Sequence, residues 1–215
     1  MSLAKRIRQI VQVFRYRKEL RQAMAMHLSL LEGDGVADAL GSLTDEETAG
    51  LRRWIADVPE GGVVLEFGTL FGLTTQQLAC AAPKNVKIIT VDNFCWNPFG
   101  LPPAHHEAFA RRILAPWIAN GRVELVAKSS RDFRAEYRGP RPDMLFLDAD
   151  HSYEAVKEEL LWAKGLDIPL VCGHDYGNPA FGVTRAVDEL FPQGVETAGM
   201  AYRVHLKNEE QEPQP

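Results

Sequence analysis

The most informative segment of this sequence is Val64-Leu65-Glu66-Phe67-Gly68-Thr69-Leu70-Phe71-Gly72-Leu73-Thr74-Thr75. It predicts an apolar strand, a loop with two glycines and the start of a helix. Gly68 and Gly72 would let the loop backbone approach a ligand closely. Thr74 would present a hydroxyl near the helix N-terminus, where backbone amides favour an anion. The glycines are four residues apart, which differs from the Gly-x-Gly-x-x-Gly spacing of dinucleotide-binding folds and argues against an NAD-dependent dehydrogenase.

Strands and helices alternate from this segment onward. We predict strands over residues 62–67, 86–91, 123–127, 143–147 and 170–173, and helices over 73–82, about 104–119, 153–164 and 182–191. Residues 196–198 and 202–206 indicate a terminal hairpin. Apolar strands alternating with helices predict an α/β, Rossmann-like, doubly wound and mostly parallel sheet with antiparallel terminal strands.

Two helices are predicted before the sheet. Apolar residues recur at helical spacing over residues 3–31, and Thr44 with Glu47 forms the capping-box pattern of a helix that ends near residue 58. We therefore divide the chain into an N-terminal helical extension (1–58), a sheet domain (59–207) and a disordered tail (208–215). The apolar stripe of the first helix suggests a homodimer formed through the N-terminal helices.

The composition is that of an ordinary globular protein. The chain has 215 residues, 46% of them hydrophobic, and a formal net charge of −5, which argues against a nucleic-acid partner. Residues 1–22 are basic, but no apolar run approaches the roughly 20 residues of a membrane helix. The three cysteines are scattered, as expected of reduced thiols, so we expect a cytoplasmic protein without a transmembrane segment.

An acidic residue closes the second predicted strand. Asp92 stands where a carboxylate can accept hydrogen bonds from both hydroxyls of a ribose. Glu66 at the end of the first strand would attract an ammonium group. Together these groups describe a ligand with a ribose, an amine and a carboxylate, and S-adenosylmethionine is such a ligand.

These residues resemble class I S-adenosylmethionine-dependent methyltransferases. Glu66-x-Gly68-x-x-x-Gly72 resembles their first motif and Asp92 their ribose-binding acid. By resemblance to the catechol-type members, Ser130 and Arg131 would contact the adenine, although Ser130 could instead cap a helix. We also assign Asn93 to cofactor binding. It opens a loop over residues 93–106 that could act as a lid, and its adjacent histidines, His105 and His106, are predicted on a helix surface.

A second group of polar residues follows the later strands. Asp148 ends the strand 143–147, and His174 and Asp175 end the strand 170–173, so neighbouring parallel strands would bring the three together. Such a group can bind a divalent cation, with Mg²⁺ favoured by the oxygens and Mn²⁺ or Fe²⁺ admitted by the histidine. Asp148 could alternatively hold the cofactor, or cap the next helix.

This second group carries a closer resemblance. Asp148-x-Asp150-His151-x-Tyr, Gly-His174-Asp175-Tyr and Gly-Val-x-Arg-Ala-Val-Asp are similar to metal-dependent sugar O-methyltransferases of macrolide pathways and to cephalosporin-hydroxylase-like proteins. The resemblance implies that Asp148 and Asp175 are metal ligands and that His151 is the general base. His174 stands where the sugar enzymes have a carboxylate.

The expected function is transfer of a methyl group from S-adenosylmethionine to a hydroxyl of a small molecule, such as a sugar or polyketide-type metabolite, assisted by Mg²⁺ or Mn²⁺. Two alternatives stay open. One is a metal-dependent hydrolase that uses Asp148, Asp150, His174 and Asp175. The other is a non-catalytic binding module on the same fold.

Overall fold

A computed structural model describes residues 43–98 and 100–205 of the chain. The predicted helix over 3–31, the dimer through it and the tail 208–215 lie outside the described residues. No helix in the described part is long and apolar enough to cross a membrane.

The described chain forms one seven-stranded sheet flanked by helices. The strands are β1 (Val63–Phe67), β2 (Lys87–Asp92), β3 (Val123–Ala127), β4 (Met144–Leu147), β5 (Leu170–Gly173), β6 (Glu196–Ala198) and β7 (Ala201–His205). The helices are α1 (Asp45–Ile55), α2 (Leu73–Ala81), α3 (Pro103–Ile113), α4 (Ala115–Ala119), α5 (Ser130–Glu136), α6 (Tyr153–Gly165) and α7 (Val183–Leu190). The predicted α/β fold with its terminal hairpin is confirmed.

The strand order is β3-β2-β1-β4-β5-β7-β6. Strands β1 to β5 are parallel, whereas β7 pairs antiparallel with both β5 and β6. The chain leaves β1 in one direction across the sheet, toward β2 and β3, and returns to its other side with β4. Ligands of such sheets bind beyond the carboxyl ends of the strands at this reversal, which here lies between β1 and β4.

Buried apolar layers cover both faces of the sheet. The four residues of β4 are all buried, as expected of a central strand between two helical layers. Helix α1 contributes Leu51, Trp54 and Ile55 to one of these layers, and Trp54 Nε1 donates to Glu196 on β6 at 2.9 Å. The second helix of the predicted extension is therefore packed onto the sheet domain.

Two helices differ from their predicted form. The predicted helix over 104–119 is divided at Leu114 into α3 and α4, and Pro116 lies in the first turn of α4, where the missing N–H has no cost. Helix α5 is the helix that the cap interpretation of Ser130 implies, but its N-cap is Ser129, whose Oγ accepts from Asp132 N at 3.0 Å. The cap interpretation of Ser130 is thus wrong by one residue.

Candidate active site

The glycine loop after β1 is shaped by contacts with the chain itself. Gly68 has φ +99°, and a Cβ on it would lie 2.0 Å from the carbonyl oxygen of Asp148. Gly72 has φ +83°, and a Cβ on it would lie 2.8 Å from Leu114 Cγ. Both glycines are needed for close packing of the chain itself, and their predicted approach to a ligand stays a prediction. Thr74 is buried in the first turn of α2.

Asp92 organises the same loop. Its Oδ2 accepts from Thr69 N at 3.0 Å and from Leu70 N at 2.9 Å, and its Oδ1 accepts from Phe94 N at 2.7 Å. One carboxylate therefore joins the loop after β1 to the loop after β2. The side chain of Asn93 is exposed and its Oδ1 accepts from Cys95 N at 2.9 Å.

Glu66 lies beneath this loop, fully buried. Thr75 Oγ1 donates to its Oε2 at 2.5 Å, which ties β1 to α2. Burial raises the pKa of Glu66 to about 8, against the hydrogen bonds from Thr75 and Thr90 that favour the charged form. At neutral pH the ligand-free protein therefore keeps this carboxyl protonated. Its predicted attraction for an ammonium group stays a prediction.

His106 corrects the expectation for the adjacent histidines. His105 is exposed, but His106 is fully buried between the rings of Phe71 and Phe94. Its Nε2 lies 2.8 Å from Leu70 O and its Nδ1 lies 3.4 Å from Phe94 O. The imidazole therefore links the same two loops that Asp92 joins.

The predicted adenine residues have different surroundings. Ser130 Oγ donates to Oε1 of Glu159 at 2.6 Å, whereas Arg131 is exposed. Glu159 is a buried residue of α6, and burial raises its pKa to about 7. Glu159 lies three residues after Val156, on the buried side of α6 with Leu160 and Ala163, so helical spacing could have identified this buried carboxyl.

The second group converges as predicted. Asp148, His174 and Asp175 each offer a ligand atom within 4.8 Å of the others. Strand pairing explains this arrangement, since Leu147 on β4 is opposite Gly173 on β5 and the next residues project from the same edge. Asp150 does not join them. It is exposed, and its Oδ1 accepts from Ser152 N at 2.8 Å.

His151 lies between the two carboxylates of this group. Its Nε2 is 3.3 Å from Asp148 Oδ1, and its Nδ1 is 3.3 Å from Asp175 Oδ2. Burial would lower the pKa of His151, but Asp148, Asp175 and Asp150 together raise it above its ordinary value. Burial also raises the pKa of Asp148. The carboxylates on both sides of His151 therefore favour its charged form.

Glu47 is a buried member of this neighbourhood that sequence reasoning missed. Its Oε1 lies 3.2 Å from His174 Nε2 and accepts from Met200 N at 2.9 Å. Burial opposes its charge, yet the N–H groups of Thr44 and Met200 and the nearby His174 hold the pKa of Glu47 below its ordinary value. The capping-box pattern identified Glu47 as a helix-start residue but could not reveal this distant contact.

Comparison with known protein families finds one matching domain. Residues 65–176, slightly more than half of the chain, match the model of a family described as a methyltransferase domain. The chain belongs to this methyltransferase family. The resemblance to class I S-adenosylmethionine-dependent methyltransferases is thereby confirmed. A comparison with curated protein sequences gives no significant match.

Solved methyltransferase structures share the fold. The O-methyltransferase TomG from Streptomyces achromogenes, which takes part in tomaymycin synthesis and was solved with S-adenosylmethionine, is 19% identical with a TM-score of 0.56, and the alignment covers 90% of this chain and 93% of TomG. An O-methyltransferase from Bacillus cereus in complex with S-adenosylhomocysteine is 15% identical with a TM-score of 0.54, covering 86% and 89%.

A sugar-modifying enzyme is also similar in fold. The calicheamicin-biosynthesis enzyme CalS11, a TDP-rhamnose 3′-O-methyltransferase, is 19% identical to this methyltransferase with a TM-score of 0.54. The alignment covers 75% of this chain and 77% of CalS11. At these identities the likeness establishes the fold.

Proposed function

We propose that this methyltransferase moves a methyl group from S-adenosylmethionine to a hydroxyl of a small molecule, with His151 as the general base and a divalent cation at Asp148, His174 and Asp175. The observation that carries the proposal is the position of these four side chains. They lie at the carboxyl ends of β4 and β5, directly beside the glycine loop at the carboxyl end of β1. Donor and acceptor sites would therefore share one edge of the sheet.

The donor set fits Mg²⁺ or Mn²⁺. Two carboxylates and one imidazole are ligands that both cations accept, with Mn²⁺ the more tolerant of nitrogen. The nitrogens of His151 and Nδ1 of His174 all face carboxylate oxygens at 3.3 to 3.8 Å. A cation would neutralise the negative charge that these oxygens concentrate. When bound, it would supply Lewis acidity that lowers the pKa of an acceptor hydroxyl.

The residues of the chain would then carry out the proton transfer. His151, once its carboxylate neighbours are engaged, takes the proton of the acceptor hydroxyl on an imidazole nitrogen. The acceptor oxygen forms a bond to the methyl carbon as the bond from that carbon to the donor sulfur breaks, which leaves S-adenosylhomocysteine and a methyl ether. Holding both reactants at one strand edge supplies much of the acceleration.

The acceptor class is a sugar or a polyketide-type metabolite. TomG and CalS11 support this part of the proposal, because each is an O-methyltransferase of natural-product synthesis. Phe181 also supports it: the ring is 41% exposed and packs edge-on to His151 with centroids 4.6 Å apart. An apolar surface directly beside the base favours an acceptor with an apolar part next to the reacting hydroxyl.

The two alternatives are less well supported. Family membership favours methyl transfer over hydrolysis, and the hydrolase would also need Asp150, which lies outside the cluster. A non-catalytic binding module would not explain why two carboxylates and two imidazoles lie together at the carboxyl ends of β4 and β5. It predicts that Asp148→Ala and His151→Ala leave function intact.

Calorimetric titration with S-adenosylhomocysteine tests the proposal. We expect micromolar binding to the wild type and at least a tenfold loss in Asp92→Asn, because the amide disturbs both the loop and its acceptor oxygens. Asp143→Asn is the matched control. Asp143 Oδ2 also accepts a backbone N–H, from Val63 at 2.9 Å, but at the opposite edge of the sheet, so its affinity should stay within twofold of wild type.

The same titration repeated with Mg²⁺ or Mn²⁺ addresses the cation. Separate titration of Mn²⁺ should give a single site that Asp175→Asn weakens. Absence of S-adenosylhomocysteine binding under every condition would remove the donor from the proposal. Absence of cation binding would remove metal assistance and leave His151 as the base alone.

A further inference from the structure

Glu47 is held in place from several directions. It lies on α1, outside residues 65–176 that match the family, and only 2% of its surface is exposed. Its Oε2 accepts from Thr44 N at 2.7 Å, and its Oε1 accepts from Met200 N at 2.9 Å. These two backbone contacts fix both oxygens of the carboxylate, so Glu47 has little freedom to turn away from what it faces.

The turn between β6 and β7 closes directly on this side chain. Gly199, in that turn, has φ +59°, and a Cβ there would lie 2.9 Å from Glu47 Cγ and 3.0 Å from Glu47 Oε1. Any larger residue would push the turn away from Glu47 and strain the backbone. The chain therefore brings two distant segments, α1 and the terminal hairpin, together around one buried carboxylate.

His174 faces this carboxylate on one side and the candidate cation site on the other. Its Nε2 lies 3.2 Å from Glu47 Oε1, and among the described residues this buried nitrogen has no hydrogen bond of good geometry. Its Nδ1 lies 3.5 Å from Asp175 Oδ2 and 3.8 Å from Asp148 Oδ1. The two ring nitrogens thus point to different acidic groups.

We propose that Glu47 is the positioning residue of the cation site. Its carboxylate, 3.2 Å from Nε2, favours the tautomer of His174 with the proton on that nitrogen, so that the unprotonated Nδ1 faces Asp148 and Asp175. Imidazole ligands of metals commonly donate their second N–H to a carboxylate, which fixes the ring and makes the ligating nitrogen more basic. This inference rests on the proposed function, since it concerns the same site.

Nuclear magnetic resonance of the metal-free full chain tests the tautomer. Nitrogen-15 shifts and couplings of the His174 ring distinguish the Nε2–H form from the Nδ1–H form. In the wild type we expect the proton on Nε2, and in Glu47→Gln a measurable population of the other tautomer. A wild-type ring that carries its proton on Nδ1 alone would overturn the proposal, and this measurement needs no variant to fold.

Mn²⁺ binding, followed by electron paramagnetic resonance, tests the consequence for the cation. Glu47→Gln should weaken Mn²⁺ binding about 10- to 100-fold, as for other carboxylate partners of metal-bound histidines. Its S-adenosylhomocysteine affinity should stay within twofold of wild type. Unchanged Mn²⁺ affinity in Glu47→Gln would contradict the proposal.

Thr44→Ala is the matched control. Thr44 Oγ1 accepts from Glu47 N at 3.3 Å, so its loss weakens the same capping box but leaves the carboxylate opposite His174. Mn²⁺ affinity should be unchanged in this variant, and an equal loss would show that Glu47 acts only through helix stability. If the wild type binds no Mn²⁺, the cation of the proposed function fails and the positioning role of Glu47 fails with it, whereas a wild-type His174 with its proton on Nδ1 alone overturns only the role of Glu47.

Discussion

The two halves of the ligand-facing edge differ in what their polar side chains contact. In the β1–β2 half, the Asp92 carboxylate accepts three backbone N–H groups and Thr75 donates to Oε2 of Glu66, whose buried Oε1 has no hydrogen-bond partner of good geometry among the described residues. In the β4–β5 half, the ring nitrogens of His151 and His174 face carboxylates at ion-pair distance, and Nε2 of each is buried without a hydrogen bond of good geometry among the described residues.

The polar side chains of one half hold loops in place, whereas those of the other half face each other. Where side chains accept backbone N–H groups, they fix the loops. Where acids and imidazoles face each other, they stay available to protons, cations and substrate. This difference fits the proposal that the first half binds the donor and that the second is the reactive centre.

The contact that joins the two halves should give the largest effect. Gly68→Ala places a Cβ 2.0 Å from the Asp148 carbonyl oxygen, and backbone cannot yield as a side chain can. We expect a loss of about 4 kcal/mol or more in the free energy of unfolding, measured by urea denaturation. Gly121→Ala is the control, since Gly121 also has positive φ but has nothing within 4 Å of the added atom. It should cost about 1–2 kcal/mol from backbone strain alone.

Removal of the proposed base should give the next largest effect. It should lower the reaction rate through the β4–β5 half and leave donor binding at the β1–β2 half unchanged. His151→Ala should lower kcat by about 10²–10⁴-fold, as for loss of a general base. S-adenosylhomocysteine affinity, measured by calorimetry, should change less than threefold. The control is His105→Ala, which removes an exposed histidine near the β1–β2 half and should leave both quantities unchanged. Collapse of S-adenosylhomocysteine binding in His151→Ala would show that the two halves are not separable.

The smallest effect concerns pH and Glu159, the buried carboxyl on α6, the helix that connects β4 to β5. The pKa of Glu159 is raised from 4.5 to about 7 in the folded protein, so its contribution to stability is fully present below pH 4.5 and is lost as pH rises through about 7. Between these values this group alone should lower the free energy of unfolding by about 1.4 kcal/mol per pH unit. Because the raised pKa of Glu66 adds a slope of the same sign, the part due to Glu159 is the difference between wild type and a Glu159 variant, measured by urea denaturation at several pH values.

Glu159→Gln should remove this part of the pH dependence, because an amide does not titrate. The adjacent Glu158→Gln provides the comparison. Glu158 is a half-exposed partner of Arg134 at 3.3 Å, and its loss should leave the slope in place. Identical slopes in wild type and Glu159→Gln would mean that Glu159 is ionised in the folded protein.

Periodicity and strand ends were enough to predict the sheet and the meeting of Asp148, His174 and Asp175. Parallel strands have their carboxyl ends at one edge of the sheet. Because Leu147 is paired with Gly173, the residues that follow them, Asp148 and His174, lie side by side. These are local patterns combined with a rule of sheet geometry. The assignment of roles to these residues stays a prediction.

The missed features have different causes. His106 lies four and seven residues before Ala110 and Ile113, on the buried side of α3, so helical spacing could have separated it from His105; only the fold shows that the rings of Phe71 and Phe94 cover it. The capping box fully accounts for a glutamate at position 47, so the pattern gives no reason to expect that Glu47 also contacts His174. A single helix was predicted where Leu114 and Pro116 divide it, because apolar spacing continues across the break.

The packing of α1 has a consequence for dissecting the protein. A shortened chain that began at residue 59 would retain every residue of the family match, yet it would leave open the apolar surface that Leu51, Trp54 and Ile55 cover. It would also lack the hydrogen bond from Trp54 to Glu196 and the contact between Glu47 and His174. A unit that keeps these contacts includes Leu43, which is buried in the same apolar layer some twenty residues before the part by which the family is recognised.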